Sequence, residues 1–126
     1  MDAGECFVFC DSIPDDHLWV VISDPQANPT DPVVIVNLTT YRSDKDCTCI
    51  LEPGDHAFVR HRTVVHYGGA YAVPTGRLDE MRSLGELEPQ PPLSPALLGR
   101  VRDGAGRSEF TPEGCRKILV EEGLIE

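Results

Sequence analysis

Two apolar runs rich in β-branched residues, Leu18–Ser23 (LWVVIS) and Val33–Leu38 (VVIVNL), constrain this chain more than any other feature. Residues branched at Cβ lose rotamer freedom in a helix and pack well on a pleated sheet, so both runs read as strands. Neither alternates apolar with polar residues, as a strand wetted on one face would. Continuous runs of this length indicate strands covered on both faces, or the central strands of a closed barrel. The connecting segment SDPQANPTDP carries Pro25, Pro29 and Pro32. These prolines exclude a helix there and keep the loop on the surface.

Shorter strand candidates surround this pair. Cys6–Cys10 (CFVFC) is an apolar run ended by the turn-prone DSIPDD, and Cys47–Leu51, Phe58–Arg60, Thr63–Tyr67 and Ala70–Val73 follow later. Gly54-Asp55 and Gly68-Gly69 supply turns between them. The expectation for residues 1–75 is a mainly β unit of five to seven short strands, closed into a small barrel because closure removes exposed edges. From Thr75 the character changes. Within GRLDEMRSLGELEPQPPL at most one short helix fits, around Leu78–Leu84. Ser94-Pro95 then supplies an N-cap and a first-turn proline for a helix to about Arg102, which GAGRSEF should end. Thr111-Pro112-Glu113 repeats the start signal for a helix ending near Gly123, with Cys115, Ile118 and Leu119 on one face. These two short C-terminal helices are too poor in apolar surface to stand alone. Residues 76–126 therefore read as an extension packed on the barrel or on a partner subunit, giving one domain overall.

Composition narrows the function classes. At 126 residues, 40% hydrophobic and 25% charged, the chain has the make-up of a soluble globular protein. No apolar run approaches the ~20 residues that span a bilayer. MDAGECFVFCDS lacks the basic and apolar regions of a signal peptide, and five cysteines fit reduced thiols better than a disulfide framework. Cytoplasmic location and no membrane partner are expected. A net charge of −10 and a pI near 4.7 argue against duplex DNA or a lipid surface, whose binders displace counterions with basic patches. The charges are unevenly placed. Arg42, Lys45, Arg60, His61, Arg62 and His66 fall in one stretch, whereas acids weight the C-terminal third. That pattern is either a local basic surface on an acidic body or a solvated charged face.

The order of the segments resembles the PemK/MazF-like toxins of bacterial toxin–antitoxin systems. In that family a first strand and a loop precede a polar residue leading into a strand of the type RPVLVLS, and a further apolar strand ends in threonine. Here HLWVVIS (His17–Ser23) follows the loop DSIPDD, and VVIVNLTT (Val33–Thr40) follows the proline-rich loop. GDHAFVRHRTVVHYGGAYAV (Gly54–Val73) is similar to the part of the family that returns to close the barrel. The resemblance covers roughly residues 4–75. It implies an SH3-like barrel, often a homodimer, that cleaves single-stranded RNA as an endoribonuclease without metal or other cofactor and is paired with a cognate antitoxin protein.

Carried over position by position, the family's catalytic arginine falls on His17 and its catalytic threonine on Thr39 or Thr40. Histidine at position 17 is a departure. Arginine holds its charge at all working pH values, whereas histidine titrates near neutrality and suits proton transfer to and from ribose and phosphate oxygens. Arg42, just past the paired threonines, is placed to supply the missing cation. His56 follows a turn glycine and an aspartate that can orient its ring, and it is a third catalytic candidate. His61 and His66 lie five apart, so on one strand they face opposite ways and only one belongs to a given site. His61, flanked by Arg60 and Arg62, is the better phosphate contact, and Tyr41 or Tyr67 can stack on a base. Cys47-Thr48-Cys49 sets two thiols on one strand face roughly 6.6 Å apart, but zinc motifs usually separate paired ligands by two or more residues. No metal is expected. Each polar residue also has a plainer reading, as a loop, strand-end or backbone-bonding residue. The enzyme reading therefore stands beside a second one, a non-catalytic SH3-like module whose acidic surface and C-terminal helices bind a protein.

Overall fold

Residues 1–10 and 17–126 are described by a computed structural model; the DSIPDD turn expected before His17 lies outside the described residues. Strands β1 (Cys6–Phe9), β2 (Trp19–Val21), β3 (Val33–Thr40), β4 (Ile50–Leu51), β5 (Thr63–Val73) and β6 (Leu87–Gln90) form one antiparallel sheet in the order β4-β5-β3-β2-β1-β6. Helix α1 (Arg77–Ser83) lies between β5 and β6 in sequence, and α2 (Pro95–Arg107) and α3 (Glu113–Glu121) follow.

The two apolar runs become central strands covered on both faces. On β3, Val34, Val36 and Leu38 join a core with Leu97, Leu98, Val101 and Ala105 of α2 and Cys115 and Leu119 of α3. Val33 and Ile35 point the other way, into a smaller core with Phe7, Val21, Val73, Leu78 of α1 and Leu87. Each buried aliphatic side chain contributes about 1.5–3 kcal/mol relative to exposure, so this run alone is a large share of the folding drive.

The sheet does not close. Its edge strands β4 and β6 do not pair with one another, so the expected barrel is replaced by an open sheet. Helices on both faces bury the apolar surface that closure would otherwise have hidden. The edges are blunted locally: β4 has two residues, and β6 carries Pro89, a residue confined in sheets to edges and bulges.

Several expected boundaries move. Only Ile50–Leu51 of Cys47–Leu51 pairs, and Phe58–Arg60 is loop rather than strand. Thr63–Tyr67 and Ala70–Val73 are one strand, not two, because Gly68-Gly69 forms a bulge instead of a turn. Ile35 pairs with Tyr71 and Asn37 with His66, so Val36 alone faces the four residues Tyr67–Ala70. The bulge reverses the parity of β5: Val65 and Tyr67 before it, and Ala70 and Ala72 after it, all turn toward α2 and α3. A Cβ on Gly69 would lie 2.5 Å from the His66 ring and 3.0 Å from Asn37 Oδ1. Any larger residue would have to displace the His66 ring, which glycine leaves in place.

Helix α2 also outruns its expected end. Ser94 caps it, accepting a hydrogen bond from Leu97 N at 3.1 Å, but it continues through Gly104-Ala105-Gly106 to Arg107. The small residues that weaken helix propensity are the ones that let α2 settle on the sheet: Ala105 is fully buried, and Gly104 abuts Tyr67, whose hydroxyl donates to Val101 O at 2.7 Å. Among the described residues no helix is long and apolar enough to cross a membrane.

Candidate functional site

The cover that α1 gives one face of the sheet ends after Ile35. The next two residues of β3 on that face are polar, Asn37 and Thr39, and they floor a pocket of about 480 Å³ lined also by His17, Lys45, His66 and Phe110. Three strands assemble it. Trp19 pairs with Asn37 and Leu38 N donates to Leu18 O at 2.9 Å; continuing that register sets His17 opposite Thr39. On the other side of β3, Asn37 pairs with His66 of β5. The imidazole before β2 and a hydroxyl at the end of β3 thus share one pocket, with a second imidazole across the strand between them.

The hydrogen bonds fix what these groups offer. His17 Nδ1 lies 3.1 Å from Leu38 O. A carbonyl oxygen only accepts, so Nδ1 carries the hydrogen, and in the neutral ring Nε2 keeps the lone pair. Lys45 Nζ donates to Thr39 Oγ1 at 3.0 Å and to Thr40 O at 2.8 Å. Thr39 uses a lone pair there, so its own hydroxyl hydrogen remains for another acceptor. Burial alone would raise the Asp46 carboxyl, but donation from the Ser108 and Thr48 hydroxyls and the Thr48 amide outweighs it. A smaller contribution comes from the His66 charge, and the group is held below the ordinary carboxylate range. Asp46 is therefore an ionised neighbour for His66. Phe110 closes one side of the pocket, its Cβ 3.7 Å from the Cβ position of Gly68.

Other residues singled out from the sequence lie elsewhere. Thr40 alternates with Thr39 and is exposed; its hydroxyl sits 3.0 Å from His61 Nε2, away from the pocket lining. His61 precedes β5 rather than lying on it, and period-two alternation brings His66 to the site instead. His56 is buried and tied at both nitrogens: Nδ1 accepts from Phe58 N at 3.0 Å, which leaves Nε2–H to donate to Pro91 O at 2.5 Å. Its ring staples the loop after β4 to the segment before α2. Arg42 is exposed and paired with Asp44 at 3.2 Å, and the cation lining the pocket is Lys45. Arg60 is exposed in the loop before β5. Tyr67 is fully buried under α2 and presents no face for stacking. Arg62 lies over the Tyr41 ring, 5.4 Å from its centroid, and is bonded to Glu52 at 2.8 Å. Among the described residues no three His, Cys, Asp or Glu side chains converge as metal ligands.

Asn37, Lys45, Asp46 and Phe110 line the pocket without having been singled out as site residues. One signal was present: Asn37 interrupts an otherwise apolar strand and marks where cover stops. Asp46 and Phe110 arrive from loops distant in sequence and carry no local signature. Compared with protein-family models and with curated proteins, the chain matches none.

Proposed function

We propose that this pocket binds a phosphodiester of single-stranded RNA and cleaves it through the adjacent 2′-hydroxyl. His17 Nε2 takes the 2′-hydroxyl proton as the oxygen attacks phosphorus. The P–O5′ bond breaks, and His66, as imidazolium with ionised Asp46 beside it, gives its proton to the leaving O5′. The products are a 2′,3′-cyclic phosphate and a 5′-hydroxyl. Lys45 and the Thr39 hydroxyl donate to the non-bridging oxygens, where charge develops. Acid, base and cation all come from side chains, so the reaction needs no metal.

The observation that carries this reading is the convergence of His17, with its tautomer set by Leu38 O, and His66, Lys45 and Thr39 on one pocket. Two histidines with one cation are the groups general acid–base cleavage requires. The PemK/MazF-like resemblance of residues 4–75 points to the same chemistry, and on that footing a dimer and an inhibitory antitoxin partner belong to the proposal. The test is cleavage of mixed single-stranded RNA in EDTA. Cyclic-phosphate ends should appear, and His17→Ala and His66→Ala should each slow cleavage by about 10²–10⁴-fold. Intact RNA across varied substrates would remove the enzyme reading, and binding without cleavage would leave a non-catalytic module.

A further inference from the structure

The face that carries the pocket does not end at Asn37. One step along each of the same three strands lies a second depression of about 390 Å³, lined by Trp19, Ile35, Tyr71 and, at its α1 side, Arg77 and Met81. Trp19 is two residues from His17 on β2, Ile35 two from Asn37 on β3, and Tyr71 pairs with Ile35 on β5. The two depressions are therefore neighbours on one sheet face, while the opposite face is filled by α2 and α3. Between them the bulge offers no side chain on β5 beyond Gly68 and Gly69.

The second depression differs in chemistry from the first. Its floor is aliphatic, and its walls are aromatic. The Trp19 ring is held by an edge contact from Phe9, with centroids 5.6 Å apart and planes at 69°. Tyr71 is 61% exposed, so its ring is open to a ligand. A flat apolar floor between a fixed indole and an exposed phenol suits a planar, weakly polar ring. The Arg77 guanidinium at the rim adds positive charge, although Glu80 at 2.9 Å and Glu86 at 3.7 Å share it. Base–aromatic stacking is how single strands are held without sequence readout.

We infer that this depression is a stacking subsite for a nucleobase of single-stranded RNA, seated next to the phosphate bound by His17 and His66. The inference rests on the RNA reading of that pocket and names the part of the substrate the pocket leaves unbound. A base on Tyr71 and Trp19 fixes the strand along β3, so the ribose hydroxyl reaches His17 rather than solvent.

Trp19 is the chain's single tryptophan, so its emission reports on the subsite directly. The probes are 2′-O-methyl tetranucleotides of each base, which lack the attacking hydroxyl and cannot be cut. An abasic ribose-phosphate strand of equal length and charge is the control, all at low ionic strength. Base-bearing strands should quench Trp19 and the abasic strand should not. Tyr71→Ala should weaken base-bearing strands about ten-fold and leave the abasic strand unchanged, and Tyr71→Phe should bind like the parent. Equal binding of base-bearing and abasic strands, with Tyr71→Ala without effect, overturns the subsite even if RNA is cut. Trp19 emission that varies with protein concentration alone assigns the face to a second copy of the chain and also overturns it. Base-dependent quenching with no cleavage of natural RNA keeps the subsite and sinks only the catalytic reading.

Discussion

Replacing Gly104 by alanine sets a gain in helix propensity against a larger packing cost. In the middle of α2, alanine should gain about 1 kcal/mol of helix propensity over glycine. Against that, the new Cβ would overlap the Tyr67 hydroxyl and lie 2.8 Å from Cζ and 3.2 Å from Cys49 Cβ. Tyr67 has no room to yield: it is fully buried, and its hydroxyl is committed to Val101 O. Overpacking of this kind costs about 1–3 kcal/mol, and displacing the hydroxyl forfeits about 1 kcal/mol more. The net expectation is a loss of about 1–3 kcal/mol, or a fall in Tm of roughly 4 °C per kcal/mol for a chain of this size. Gly99 supplies the control. It lies in the same helix with nothing within 4 Å of its Cβ position, so Gly99→Ala should raise Tm by gaining the propensity term alone. Combining Gly104→Ala with Tyr67→Phe should recover part of the loss, because it removes the overlapping oxygen. Thermal melts of the three variants and the parent read the result. If Gly104→Ala raises Tm as Gly99→Ala does, α2 does not cross β5 at Tyr67, and the packing that covers this face of the sheet is wrong.

Other expectations follow from single groups. The Cys6 thiol is pushed up to about 12 chiefly by burial, and burial also raises Cys49 and Cys115, whereas Cys10 is exposed. Alkylation of the native protein near pH 8 should therefore label Cys10 first and reach Cys6, Cys49 and Cys115 only on unfolding, since the thiolate is the reactive form; rapid native labelling of Cys6 would refute its burial. Asp46 titrates lower in the folded chain than its ordinary value of 3.8, so its contribution to stability is present above that value and lost as pH falls through the lower folded one. Thr48→Val removes one donor to this carboxylate and should cost about 1 kcal/mol at pH 7, a difference that shrinks below pH 3.8. A cost independent of pH in denaturant titrations would show that the hydroxyl does not favour the ionised form.

What could be read from the residues was local. The runs at 18–23 and 33–38 are β-branched and uninterrupted, and they are the covered central strands. Ser94-Pro95 and Thr111-Pro112 mark helix starts because capping and fixed proline φ act within one turn. The pairing of His17 with the end of the next strand was also within reach, since consecutive antiparallel strands meet end to start. Sheet closure, the end of α2 and the choice among histidines were not. Helices on both faces covered most of the apolar surface that closing would have hidden; the fit of Gly104 under Tyr67 carried α2 past residues that break helices elsewhere; and the bulge at Gly68-Gly69 re-aimed half of β5. Each of these turns on contact between segments tens of residues apart, where packing energies exceed local preferences of about 1 kcal/mol or less. Only the assembled chain decides them.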